Sequence, residues 1–182
     1  MPPCSGWATA SSTSGAAFTN LRSALRPGGR LAFVCWQALA ENPWLGVPLA
    51  AAAPHLALPP PPPPDAPGPF ALADPARIRA VLGGAGFAGV AVEPLRAPLT
   101  VGGGGDLDAA VRFLVEGVGP ASAALRDAEP AVRDRVRVAV RHALAPFATP
   151  AGVRLDGATW IVTARAWTPS ARLAGARRPS LG

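Results

Sequence analysis

The residues best suited to chemistry in this 182-residue chain are Trp36, Gln37, Glu41, Asn42 and Trp44, which follow one short apolar run, Leu31 to Trp36. Two indoles, two amides and a carboxylate are groups that can hold a small molecule. Rings cover its flat apolar parts, amides orient its polar atoms, and a carboxylate can accept a proton. If the apolar run is a strand of an open α/β sheet, its carboxyl end faces the crevice where such sheets bind ligands, and these five residues rim it. The competing reading makes Trp36 and Trp44 packing residues and Asn42-Pro43 a turn. Glu41 and His55 are the candidate general bases, although His55, set among alanines, leucines and a proline, reads as structural. His142 follows Arg141 on a charged stretch and reads as a surface residue. The two His and two Cys, at 4, 35, 55 and 142, show no ligand-pair spacing, so no metal is expected. No Ser-His-Asp grouping is legible either.

The elements that must position these groups begin with FTNLRSALRPGGRLAFVCWQ, Phe18 to Gln37. Phe18, Leu21 and Leu25 recur at helical spacing and predict an inward face. Pro27 and Gly28-Gly29 predict a stop and a turn. Leu31 to Trp36 is apolar without alternation, which predicts a strand covered on both faces in a parallel sheet. Asp74-Pro75 predicts a helix start, with Ile78, Val81 and Leu82 inward. Phe87 to Leu95 predicts a second strand, near a sheet edge because of Glu93-Pro94. Asp106 caps a helix carrying Leu107, Val111, Leu114 and Val115 inward. A longer helix from Pro130 carries Val132, Val136, Val140, Leu144 and Phe147 on one stripe, with Glu129/Arg133 and Asp134/Arg137 outside. Thr159 to Ala166 alternates as a last strand. Prolines 59 to 64 predict a stiff polyproline spacer.

Four stretches in this order, LRSALRPGGRLAFVCWQ, NPW, FALADPARIRAVLGGAGFAGV and WIVTARA, resemble class I S-adenosylmethionine-dependent methyltransferases of the small-molecule and quinone-type branch. The resemblance runs from about Phe18 to Trp167. It implies an α/β fold: a partial Rossmann-like methyltransferase sheet whose strands resemble the fifth, sixth and seventh, with a helical insertion. It also implies a small-molecule substrate and S-adenosylmethionine as the family's cofactor. That cofactor binds in the first half of the sheet, so every matching contact position would fall before Phe18 and none carries over to a residue here. This chain alone is therefore expected to bind no cofactor and to be inactive. A non-catalytic relic or interaction module is the alternative. The glycine cluster Gly102 to Gly105 follows a candidate edge strand and lacks G-x-G spacing, so it reads as a loop.

Residues 1–17 show no period and read as a disordered leader, a start-site error or the product of a frame shift; residues 168–182 read as a disordered basic tail. The formal charge of +6 suggests nucleic acid, but Arg165, Arg172, Arg177 and Arg178 all lie beyond the last acid, Asp156. The remaining 13 Arg face 11 acids, which excludes a nucleic-acid binder of ordinary design. Two separated thiols argue against a disulfide framework and for a reducing cytoplasm. No run is long enough to span a bilayer, so no membrane partner is expected. With no fourth strand beside it, the fifth would leave an apolar edge unpaired. Low solubility, or a homodimer through that exposed sheet edge, is expected.

Overall fold

The computed structural model describes residues 12–58, 60, 63 and 66–167. Helix α1 (Ser12–Ala24) starts six residues before the expected boundary at Phe18, so Ser12 to Ala17 are helical, not leader. The Ala16-Ala17 pair favours helix, and Thr19 Oγ1 donates to Gly15 O at 2.8 Å, which ties the first turn to the second. Residues 1–11, the tail from 168 and most of the proline run lie outside the described residues.

The apolar run forms β1 (Arg30–Trp36), but neither parallel to its neighbour nor covered on both faces. It pairs antiparallel with β4 (Gly152–Ala166), and its exposure alternates. Leu31, Phe33 and Cys35 pack inward beneath α1 and α3 (Pro75–Gly84). Ala32 and Val34 point the other way with no described helix above them, and Val34 is 60% exposed. The unbroken apolar run therefore reflects an uncovered face that is itself apolar.

The sheet order is β1-β4-β2, with β2 (Phe87–Val101) antiparallel to β4, and the two-residue β3 (Ala148–Thr149) pairs with β4 as well. Every pairing is antiparallel, so the chain is mixed α/β around a four-stranded antiparallel sheet. Because β1 and β2 are both antiparallel to β4, they run parallel to one another. Both β2 and β4 are 15 residues long, well beyond the segments expected from Phe87 to Leu95 and Thr159 to Ala166.

Burial along β4 changes phase midway. Val153, Leu155 and Gly157 are buried on one face; Val162, Ala164 and Ala166 are buried on the other. The first set lies under α2 (Pro43–Ala52), α4 (Leu107–Arg112), α5 (Gly119–Leu125) and α6 (Pro130–Leu144), in a core that includes Leu45, Val111, Leu114, Val136, Val140 and Leu144. The second lies under α1 and α3, with Ile78, Leu82 and Phe87. Each end of the sheet is thus covered on one face, and on opposite faces. Both predicted caps form: Asp74 accepts from Ala76 N and Asp106 from Ala109 N, each at 2.8 Å. Among the described residues no helix is long and apolar enough to cross a membrane.

Candidate functional site

The sequence places Trp36, Gln37, Glu41, Asn42 and Trp44 together, and the fold keeps them at the carboxyl end of β1, where the chain crosses β4 before entering α2. Asn42 is the centre of the group and is fully buried. Its Nδ2 donates to the carbonyls of Gln37, Ala38 and Ala158 at 3.2, 3.0 and 3.2 Å. Its Oδ1 accepts from Ala158 N at 2.9 Å and from Trp44 Nε1 at 3.2 Å. Gln37 extends the clasp: its backbone N–H donates to Ala158 O at 2.9 Å and its Nε2 to Thr159 O at 2.8 Å. An amide that spends both ends on backbone fixes the loop to the middle of β4 and has little left for a ligand. Asn42 and Gln37 are positioning residues.

The indoles remain. Trp36 and Trp44 lie with ring centroids 5.1 Å apart at 41°, both half-buried. The Trp36 ring lies against β4 where Gly157 has no side chain; a Cβ there would sit 3.3 Å from Trp36 Cζ3. Glu41 forms an ion pair with Arg96 of β2, and both side chains are substantially exposed. Arg96 has no sequence signal linking it to Glu41, because the contact needs β2 to lie two strands from β1. The two indoles make a tilted aromatic surface on the face of the sheet covered by α2, suited to a flat, largely apolar molecule, whereas Arg96, opposite Ala158 in the register, projects from the other face.

His55 does not join them. It lies past the carboxyl end of α2 while Trp44 lies near the amino end, a helix length of about 16 Å away. It lines instead an open groove of about 660 Å³ between α2 and α6, with His142, Ala51 and Val138. Glu41 and His55 therefore cannot serve one reaction centre.

Cys35 points away from this surface. Its Sγ donates to Leu72 O at 3.6 Å, and burial raises its pKa from 9.0 to about 11, so it is no nucleophile at neutral pH. Among the described residues no three His, Cys, Asp or Glu converge to hold a metal.

The glycine turn that could tempt a nucleotide is filled from within. A Cβ on Gly102 would meet Ala110 Cα at 3.0 Å, and one on Gly105 would meet Ala109 Cβ at 2.6 Å. Gly102 and Gly105 let α4 pack against the end of β2. No protein-family model matches this chain, and no curated protein matches it.

Proposed function

We propose that this chain is the substrate-side portion of a class I S-adenosylmethionine-dependent methyltransferase acting on a small molecule. In that reading β1, β2 and β4 correspond to the fifth, sixth and seventh strands of a Rossmann-like sheet. The observation that carries it is the aromatic surface of Trp36 and Trp44 at the carboxyl end of β1, the side on which open α/β sheets hold their ligands. The parallel course of β1 and β2 supports it, as does the order of the four resembling stretches. The chain's own contribution is orientation: Asn42 and Gln37 hold the loop, and the indoles hold the flat part of a substrate. Every donor contact of the resembled family would fall before Phe18, so the chain alone is expected to bind the donor no tighter than millimolar. Isothermal titration of S-adenosylmethionine into the purified chain tests this. Micromolar affinity would mean the donor site has been misplaced, whereas quenching of Trp fluorescence by flat aromatic acceptors, lost in Trp44→Ala, is the expected positive result.

A non-catalytic interaction module is the second reading. It is favoured by the exposed Val34 and by the outer edge of β1, which pairs with no strand among the described residues.

A further inference from the structure

The two outer edges of the sheet are built differently. On β2 the register breaks between Ala88 and Ala91, Gly89 takes φ 60°, and Pro94 and Pro98 remove two N–H groups beside the charges of Glu93 and Arg96. These are the devices by which edges are closed to further pairing. β1 has none of them. Its register with β4 is unbroken from Arg30 to Trp36, it holds no proline, and its one charge sits at its first residue.

The direction of its free backbone groups follows from the bonds it makes. Gln37 N donates to Ala158 O, and Gly29 O accepts from Ala166 N. Odd-numbered residues therefore bond inward to β4, and by alternation the N–H and C=O groups of Arg30, Ala32, Val34 and Trp36 point outward. Among the described residues nothing pairs with them. Alternating outward N–H and C=O groups are matched only by another extended backbone. Since β2 is blocked, the open strand among the described residues is β1.

We propose that the outer edge of β1 is a homotypic pairing edge, on which β1 of a second copy lies antiparallel with Phe33 opposite Phe33. This register uses all four outward residues and forms about eight backbone hydrogen bonds. It sets Ala32 against Val34 and Leu31 against Cys35 of the second copy, apolar against apolar on each face. Arg30 falls opposite Trp36, where a guanidinium over an indole is favourable. The two Arg30 side chains end about 20 Å apart, so no like charges meet. The inference is independent of the proposed reaction.

The test uses the full chain with Cys4→Ser, at tens of micromolar. Light scattering on the eluting protein is expected to give twice the 18.4 kDa of one chain. Val34→Pro deletes an outward N–H that the monomer does not use, and Val34→Lys places a charge on the edge. Each is expected to halve the mass and raise the dimer dissociation constant at least 100-fold, with unchanged circular dichroism. Leu31→Cys tests register: four residues along a strand from Cys35, about 13 Å, it cannot bridge within one chain. Oxidised glutathione, taking up the two thiol hydrogens, is expected to join it to Cys35 of the second copy. A monomeric parent chain overturns the proposal. So does a dimer that survives both Val34 variants, or a Leu31→Cys dimer that does not cross-link. Should Val34→Pro fail to fold, Val34→Lys and the cross-link decide.

Discussion

Asn42 carries more of the loop than any other side chain, and its identity can be tested residue by residue. Asn42→Ala leaves the buried Ala158 N–H and the Trp44 indole N–H without their partner and is expected to cost about 1–3 kcal/mol in urea unfolding. Asn42→Asp keeps the acceptor for Ala158 N–H but turns an anionic oxygen toward three carbonyls. It is expected to be less stable than Asn42→Ala at pH 7 and to recover as pH falls. Cys35 gives a second prediction. Below pH 9 its thiol is protonated whether the chain is folded or not, so it contributes no pH dependence. Above pH 9 the unfolded chain ionises first, and stability is expected to fall until the folded thiol also titrates near pH 11. The chain has no Tyr and no Lys, so Cys4 and Cys35 are the only side chains that titrate in this window. In a Cys4→Ser background, Cys35→Ala should flatten the urea midpoint between pH 9 and 11. At this scale the five candidate residues lie together as their spacing implies, but their hydrogen-bond partners were not legible. The Asn42 and Gln37 amides look ligand-ready until β4 arrives to take their hydrogen bonds, and that strand lies more than a hundred residues downstream.

The starts of helices that carry a capping signal were legible. Asp74-Pro75 and Asp106 cap as their types demand, and the Val136-Val140-Leu144 stripe is buried as its spacing requires. Strands were less so. The first half of β4, Val153 and Leu155 against Arg154 and Asp156, alternates as clearly as its second half. The two halves are out of phase, however, because Gly157 and Ala158 switch the inward side from odd to even residues. A single period-two reading catches only one half. Gly157 allows the switch by lying against Leu99: an added Cβ would come within 2.8 Å of Leu99 Cγ. Gly157→Ala is expected to cost about 1–3 kcal/mol by overpacking, with part recovered when Leu99→Ala is added, as chemical denaturation of the double variant would show. Asp106→Ala should cost about 1 kcal/mol through loss of the bond to Ala109 N, read by the same method.

On the scale of the whole molecule, two apolar cores lie on opposite faces of one sheet and share β2 and β4. Neither core has a strand pair to itself, so the two are expected to unfold together. Leu82→Ala and Leu144→Ala, each in a fully buried position, should each lower the same single thermal transition by an amount corresponding to about 2–5 kcal/mol. Near-ultraviolet circular dichroism and tryptophan fluorescence should remain superimposable; separate transitions would mean that the cores are independent units. The parallel sheet anticipated from β1 failed for a reason visible only at this scale. A strand's apolar content records what its two faces are made of, not which of them a helix reaches, and here the helices on Val34's face, those of the first core, stop short of it.

The central strand is synthesised after both of its neighbours. Arg30 of β1 must wait for Arg165, and Phe87 of β2 for Ala166, before either has a neighbour in the sheet. Until β4 has emerged, the nascent chain can form helices and turns but none of the β1–β4 or β2–β4 ladder. Sheet closure therefore has high contact order, and until it occurs the polypeptide presents two unsatisfied apolar strands to whatever holdase or neighbour it meets.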